Sequence, residues 1–468
     1  MRESVSLPAH DRLPFDVYLY ILEQYSPIVS VSPSEVEKTF VACLQTGSSN
    51  LREAALMPRL WKPHYQARYT VFDVDNETSR KGADNNWQVM YRQRRLLDRR
   101  AQSLLNDVVV GLEREARVNE IIQTLSFDVW NIIVLEIQRV NPEILQQAKR
   151  DRMRMLFLSR TYWAKQILDA ISRRAALKMW SELPTLNREP CLESHFAALS
   201  GFFSVPPTEI STTFTLLTSE CRSYIPDLAK LREPATFPRN ITLITAICKR
   251  ICSFMSSRGF QVATGEFILK QSPPDLIYLR EGAAYYSIWN HLPHTFLTTH
   301  RATLPVPLLY VFVCIARRLG IPALPVANDS KFFVHVPVND DSAAGVYVDV
   351  CAGEVIDQLP DPPPFPKNVK SLLTHTSINI MSALALANGG MSAAESNSAK
   401  YVAYSLGSII RKDHRSIDFL VDHIALFPLD ARAVLQDTVA PLVSDPAHQW
   451  AILERCRACA VRDQREAD

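Results

Sequence analysis

Glycine is scarce in this 468-residue chain, thirteen residues against thirty prolines, and that scarcity argues against an all-β protein built on tight glycine turns. Long apolar runs are missing as well. The longest, "LPVPLLYVFVCIA" at 304–316, falls well short of the ~20 residues a membrane-spanning helix needs, and the opening "MRESVSLPAHDRLPFD" has no signal-peptide core. Strong charge of either sign is absent: the formal net charge is +2, so nothing pulls the whole molecule toward nucleic acid or an anionic bilayer. Cysteines at zinc spacing are also lacking. Nine cysteines are spread along the chain, Cys456 and Cys459 forming a lone C-x-x-C and Cys248 and Cys252 lying one helical turn apart, whereas a structural zinc needs four ligands. No metal, cofactor, nucleic acid or membrane is expected, and reduced thiols suit a cytoplasmic or nuclear location.

What the chain does have is apolar content, 47%, and helical periodicity over a length that suits about three domains. In "LPFDVYLYILEQYSP", Leu13, Val17, Ile21 and Leu22 follow a helical spacing around Pro14, a residue suited to a helix start. A second helix over Glu35–Leu44, a "TGSSN" break and "LREAALMPRLWKPHYQARY" complete a small helical unit anchored by Leu60, Trp61 and Tyr65. The basic run "YRQRRLLDRR", Tyr91 to Arg100, reads as a solvated helix face with Leu96 and Leu97 turned inward, since Asp98 interrupts it and no aromatics interleave. More helices follow, to "SSRGF", where Gly259 is placed for a left-handed helix cap. Residues 359–368, "LPDPPPFPKN", read as a stiff spacer and 384–400, "ALANGGMSAAESNSAK", as a flexible small-residue linker. The expected segments are 1–70, a helical linker domain 71–235, a mixed domain 236–375, a linker 376–400 and a helical tail 401–468.

Several of these segments resemble known families. "LPFDVYLYIL" and "ALMPRLWKPHY" are similar to the opening and close of an F-box. "ITLITAICKRICSFMSSRGFQV", the stretch from "YYSIWNHLPHTF" to "KFFVHV", and "VYVDVCAGEVI" resemble the SirB-type transglutaminase-like domain, "ARRLGIP" being the most specific word. "LFPLDARAV" resembles the junction of a tetratricopeptide unit, and the order of the four parts resembles the F-box only protein 21 group. Many of that group end in a YccV-like domain, for which no room is expected before Asp468. The implied fold class is α+β and predominantly helical: F-box helices, helical linker, a transglutaminase-like (papain-like) α+β domain and tetratricopeptide-like helices. The implied role is a non-catalytic adaptor, in which Leu13, Pro14, Val17, Ile21, Leu22, Leu60 and Trp61 dock on the Skp-type adaptor of a cullin–RING ubiquitin ligase while the other domains present an unidentified protein substrate.

The same resemblance locates the chemistry. In the transglutaminase-like fold the nucleophile sits at a helix N-terminus, where backbone N–H groups and the helix dipole favour a thiolate and then an oxyanion. Here "TLPVP" puts Pro307 at that position, "DSKF" puts Lys331 at the position of the histidine base, and "YVDV" keeps an acid, Asp349. The expectation is that Pro307 begins a helix running to Leu319 and that Lys331 and Asp349 lie on neighbouring strands and pair. One alternative is an acyl-transfer or peptidase-type enzyme with a shifted site, Cys314 lying ~10 Å along the helix from Pro307 and His335 ~13 Å along the strand from Lys331. Such a thiol would sit mid-helix in apolar surroundings that raise its pKa. The other alternative is a ligase-independent scaffold whose N-terminal helices cap the linker. His291, His294 and His300, irregularly spaced around Pro293, read as loop residues rather than metal ligands.

Overall fold

A computed structural model describes residues 13–25, 27, 35–82, 86–111, 113–139, 151–183, 190–225, 241–263, 287–328, 331–338, 345–356, 363–386 and 391–465. The chain is mostly helical with a small sheet, as the α+β class implies. It groups into two compact units, residues 1–171 with 463–468, and residues 172–462. The 171/172 division falls within a single helix, Asp151–Glu182.

The first unit opens with α1 (Phe15–Glu23), α2 (Glu35–Gln45), α3 (Ser49–Leu56) and α4 (Pro58–Arg68). Pro14 sits extended at the N-cap of α1, and Pro58 occupies the first turn of α4, where no N–H is needed. Helix α1 buries Tyr18, Leu19 and Leu22 against α3, so of its expected docking residues Leu22 alone turns inward. Trp61 is 1% exposed; its indole N–H donates to the Ala55 carbonyl at 2.7 Å, and its ring packs on Phe40 and Tyr91. Leu22, Leu60 and Trp61 are therefore core residues, while Leu13, Pro14, Val17 and Ile21 face outward.

After α5 (Val74–Lys81) comes α6 (Trp87–Val110), which carries the basic run. Here the structure reverses the expectation: Leu96 is exposed, and Arg94, Arg95 and Asp98 are buried. The reason is charge pairing. Asp98 Oδ2 accepts from Arg68, Arg95 and the Tyr69 hydroxyl at 2.9, 3.1 and 3.1 Å, and Arg95 also reaches Glu37 at 3.0 Å. Arg94 donates to the carbonyls of Val71 and Asp128, lies 3.3 Å from the Asp128 carboxylate and stacks over the Tyr69 ring at 4.4 Å. Asp128 in turn holds Arg80, which also meets Glu77. Four guanidiniums face four carboxylates, so the cluster is neutral and each charge keeps a partner out of water. Helices α7 (Arg114–Asn119), α8 (Trp130–Gln138) and α9 (Asp151–Glu182) follow.

The second unit continues with α10 (Leu192–Ala197), α11 (Pro207–Ser223) and α12 (Ile241–Ser257). Gly259 takes φ +82° and closes α12 through Phe260 N–H to the Met255 carbonyl at 2.9 Å, as expected. Strands β1 (Gln261–Val262) and β2 (Ala302–Thr303) pair in parallel, the one-turn helix α13 (Pro293–Phe296) lying between them in sequence. Helix α14 (Pro305–Arg318) comes next. Strands β3 (Leu324–Ala327), β4 (Phe332–Pro337), β5 (Gly345–Asp349), β6 (Glu354–Ile356) and β7 (Phe365–Pro366) form an antiparallel sheet in the order β6-β5-β4-β3-β7. Beyond it lie α15 (Val369–Leu386), α16 (Ala393–Leu406), α17 (His414–His423), α18 (Pro428–Ala433) and α19 (Pro446–Arg465).

Two expected breaks are structured. The Pro-rich spacer supplies β7, a short edge strand whose neighbour Lys367 donates its N–H to the Pro325 carbonyl at 2.9 Å, an edge being where a strand tolerates proline. The expected linker 376–400 carries the end of α15 and the start of α16, which begins in a capping box between Ser392 and Glu395. Residues 359–362 and 387–390, and the Cys459 side chain, lie outside the described residues. In "LFPLDARAV", Pro428 opens a helix of only six residues that passes into a π-helical turn at Val434–Val439. Removing one member of the buried ionic cluster, as in Asp98→Ala, is expected to lower stability by about 3–5 kcal/mol. Leu96→Ala on the same helix should change it by less than about 0.5 kcal/mol; urea denaturation of both variants checks the contrast.

Candidate functional site

Helix α14 starts at Pro305, two residues before the expected start, so Pro307 is the third residue of its first turn. The helix begins earlier because Leu304 takes the extended N-cap conformation and Pro305 suits the first helical position. Pro307 is buried, has no N–H and carries no nucleophilic atom. Lys331 immediately precedes β4 and Asp349 ends β5, and their charged groups meet, Nζ to Oδ2, at 3.4 Å. The structure thus brings Lys331 and Asp349 together, as their expected pairing has it.

Asp349 does more than accept from Lys331. Its Oδ1 accepts from the N–H groups of Cys351 and Ala352, both at 3.0 Å, and its carbonyl accepts from Gly353 N–H at 2.8 Å. The carboxylate is nearly buried, whereas the Lys331 side chain is 63% exposed. One oxygen therefore builds the β5–β6 turn and the other faces residue 331. Lys331 is itself held by a turn, its N–H donating to Asn328 Oδ1 at 2.8 Å.

The shifted pair, Cys314 with His335, is separated by the sheet. Alternation along β4 puts Val334 and Val336 in the core shared with α14, paired across to Val348 and Val346. His335 points to the opposite face, where it pairs with Tyr347 and stacks on its ring at 4.7 Å. Cys314 lies one turn beyond Tyr310, which packs on Phe196 and Phe214 and donates its hydroxyl to the Glu193 carbonyl at 3.0 Å. Burial pushes the Cys314 thiol well above the ordinary thiol range and pushes the His335 pKa down. Facing therefore excludes the pair, although the expectation, with His335 on the same strand face as Lys331, holds facing to be permissive. His335 is hemmed in as well, since a Cβ at Gly345 would lie 2.2 Å from its Nε2.

Two thiols that the sequence reading did not connect line one cleft. Cys252 on α12 and Cys351 in the β5–β6 turn border a space of ≈ 250 Å³ together with Phe312 and Gly353. Desolvation raises the Cys252 thiol to about 12, with a further push from the Asp349 charge, so it is protonated and poorly nucleophilic near neutral pH. His291 and His294 are in short helical turns rather than open loop, and burial holds His294 down to about 4. No group of three metal-ligating side chains occurs among the described residues.

A family model of the transglutaminase-like superfamily matches residues 243–359, from within α12 through β6. A transglutaminase-like domain lies there. No curated protein and no solved structure matches the chain. Within that domain Asp349 is a turn-building residue first. Asp349→Ala should therefore cost about 1.5–3 kcal/mol, the range for hydrogen bonds to a charged group, and Lys331→Ala less than about 1 kcal/mol, as for an exposed ion pair. Equal losses in thermal denaturation would contradict this division. In the native protein a thiol-directed reagent should label the exposed Cys191 and spare Cys314 until denaturant is added.

Proposed function

We propose that the chain is a substrate-recognition adaptor of a Skp–cullin–F-box ubiquitin ligase, acting in the cytoplasm or nucleus, and that its transglutaminase-like domain serves protein interaction rather than catalysis. The observation that carries the adaptor role is the outer face of α1. Leu13, Val17 and Ile21 are exposed at 38%, 39% and 45%, beside an exposed Tyr20, although α1 already buries Tyr18, Leu19 and Leu22 in its own unit. Apolar residues at helical spacing on a solvent face are the anchors of helix-in-groove recognition. In this reading Leu13, Pro14, Val17, Tyr20 and Ile21 meet the Skp-type adaptor, and Leu22, Leu60 and Trp61 hold α1 in place from beneath.

The non-catalytic role rests on side-chain chemistry. Covalent acyl transfer needs an activated nucleophile within hydrogen-bond reach of a base. Pro307 supplies no nucleophile, Lys331 is paired with Asp349, and Cys314 and His335 lie on different sides of the sheet. The outward apolar face of α1 also favours the adaptor over the ligase-independent scaffold, because helices that only capped the linker would not need to keep these side chains in water.

Copurification from cell extract tests the proposal. The natural chain is expected to recover the Skp-type adaptor and the cullin, and the doubly substituted Val17→Glu/Ile21→Glu chain to recover neither while melting at the same temperature. Recovery undiminished by the double substitution would sink the adaptor role. A measured acyl-transfer or peptidase turnover that disappears in Cys314→Ser would overturn the non-catalytic reading.

A further inference from the structure

In the first unit, side chains from α6, α8 and α9 line a groove of ≈ 620 Å³, within the ~300–1,000 Å³ usual for ligand sites. Its floor is ionic. The buried Glu136 carboxylate accepts from Gln102 Nε2 and from Arg160 Nε, each at 2.7 Å, and Arg160 also donates to the Asn106 side chain. One cation remains over: Arg139 lines the same groove, is exposed, and forms no ion pair among the described residues. Because Arg160 neutralises Glu136, Arg139 is the charge left over among the described residues of the groove. The walls are apolar, with Val109 and Phe157 half-buried and Val110 and Leu156 exposed at the lip.

We propose that this groove binds a peptide segment of a partner protein in which an apolar side chain stands next to a carboxylate. The apolar side chain lies against Phe157, Leu156 and Val109, where desolvation of both surfaces favours it. The carboxylate meets Arg139, whose planar guanidinium accepts a bidentate partner and is weakly hydrated. Charge complementarity selects the acid, and the preorganised Glu136–Arg160 floor rejects a second anion deeper in the groove, because Arg160 is already engaged. A peptide suits the site better than a small molecule because the exposed Val110 and Leu156 extend the apolar contact beyond the cavity itself. The inference rests on the adaptor reading, for which it names the substrate class: acidic–hydrophobic segments.

The test uses the purified full chain and fluorescein-labelled peptides of about ten residues, each with a central Leu-Phe flanked by Glu, by Gln or by Lys, read by fluorescence polarisation. The Glu-flanked peptide is expected to bind about tenfold more tightly than the Gln-flanked one, with an advantage that shrinks as salt is added. Arg139→Glu, a change at an exposed side chain checked by an unaltered melting temperature, should invert the order so that the Lys-flanked peptide binds best. Phe157→Ala should weaken all three. Binding indifferent to flanking charge, an unchanged order in Arg139→Glu, or no binding of any peptide overturns the proposal. So does concentration-dependent self-association of the chain that Arg139→Glu abolishes, which would assign the groove to a second copy. Loss of the Skp-type adaptor in copurification with peptide binding intact would count against the ligase role alone, and the reverse result against the groove alone.

Discussion

A helix that is apolar around its whole circumference cannot be a surface element, and α14 is such a helix: every residue from Val306 to Ala316 is buried. The second unit is organised by the need to cover it on all sides. β3 and β4 pack on one side of it, and α12 packs on it as well. Phe196, Phe214 and Phe296 close around the ring of Tyr310, whose hydroxyl, carried into the core with it, finds the Glu193 carbonyl. The C-terminal turn emerges, with Arg317 and Arg318 near the negative end of the helix dipole and Arg318 paired with Glu193 at 2.6 Å. The same requirement tolerates Pro305 and Pro307, because the first turn is the one place where a buried helix does without N–H donors.

The first unit solves its interior differently. Where the second surrounds α14 with apolar side chains and buries the pair Arg173 and Asp430, the first encloses a neutral set of arginines and carboxylates roofed by Tyr65, Tyr69 and Tyr91. Burial raises the pKa of Tyr65, of Tyr69 and of Tyr91 above the ordinary phenol range, so each hydroxyl stays a donor for the neighbouring carboxylates. Ion pairs of this kind are poor sources of net stability but severe on any variant that removes one partner. The cluster ties α4, α5 and α6 to the segment before α8 through side chains rather than through apolar area.

Much of the architecture is legible in residue order. The opening helices and the Gly259 cap follow from periodicity and punctuation, and α14, the strands that carry Lys331 and Asp349 and the meeting of those two residues follow from aligning the domain's words. What is not legible depends on tertiary partners. "YRQRRLLDRR" looks solvated because a one-dimensional reading counts charges of one sign, and the carboxylates that make burial tolerable, Glu37, Glu77 and Asp128, lie far off in the chain. "SAAESNSAK" reads as a linker for its small residues, although S-x-x-E is itself a capping signal. Leu22 belongs to the core rather than to the outward face of α1 because it lies one residue from Ile21, and that single step of about 100° turns one inward and the other out. The separation of Cys314 from His335 was available from strand parity once Val334 and Val336 were recognised as the core pair.

The divided carboxylate of Asp349 alters what its presence signifies. Because Oδ1 is committed to two backbone N–H groups of a hairpin turn and Oδ2 is thereby aimed at residue 331, the orientation of this acid is a by-product of folding. An aspartate at this place is thus no marker of working chemistry. The hairpin needs it in order to close, whatever stands opposite it.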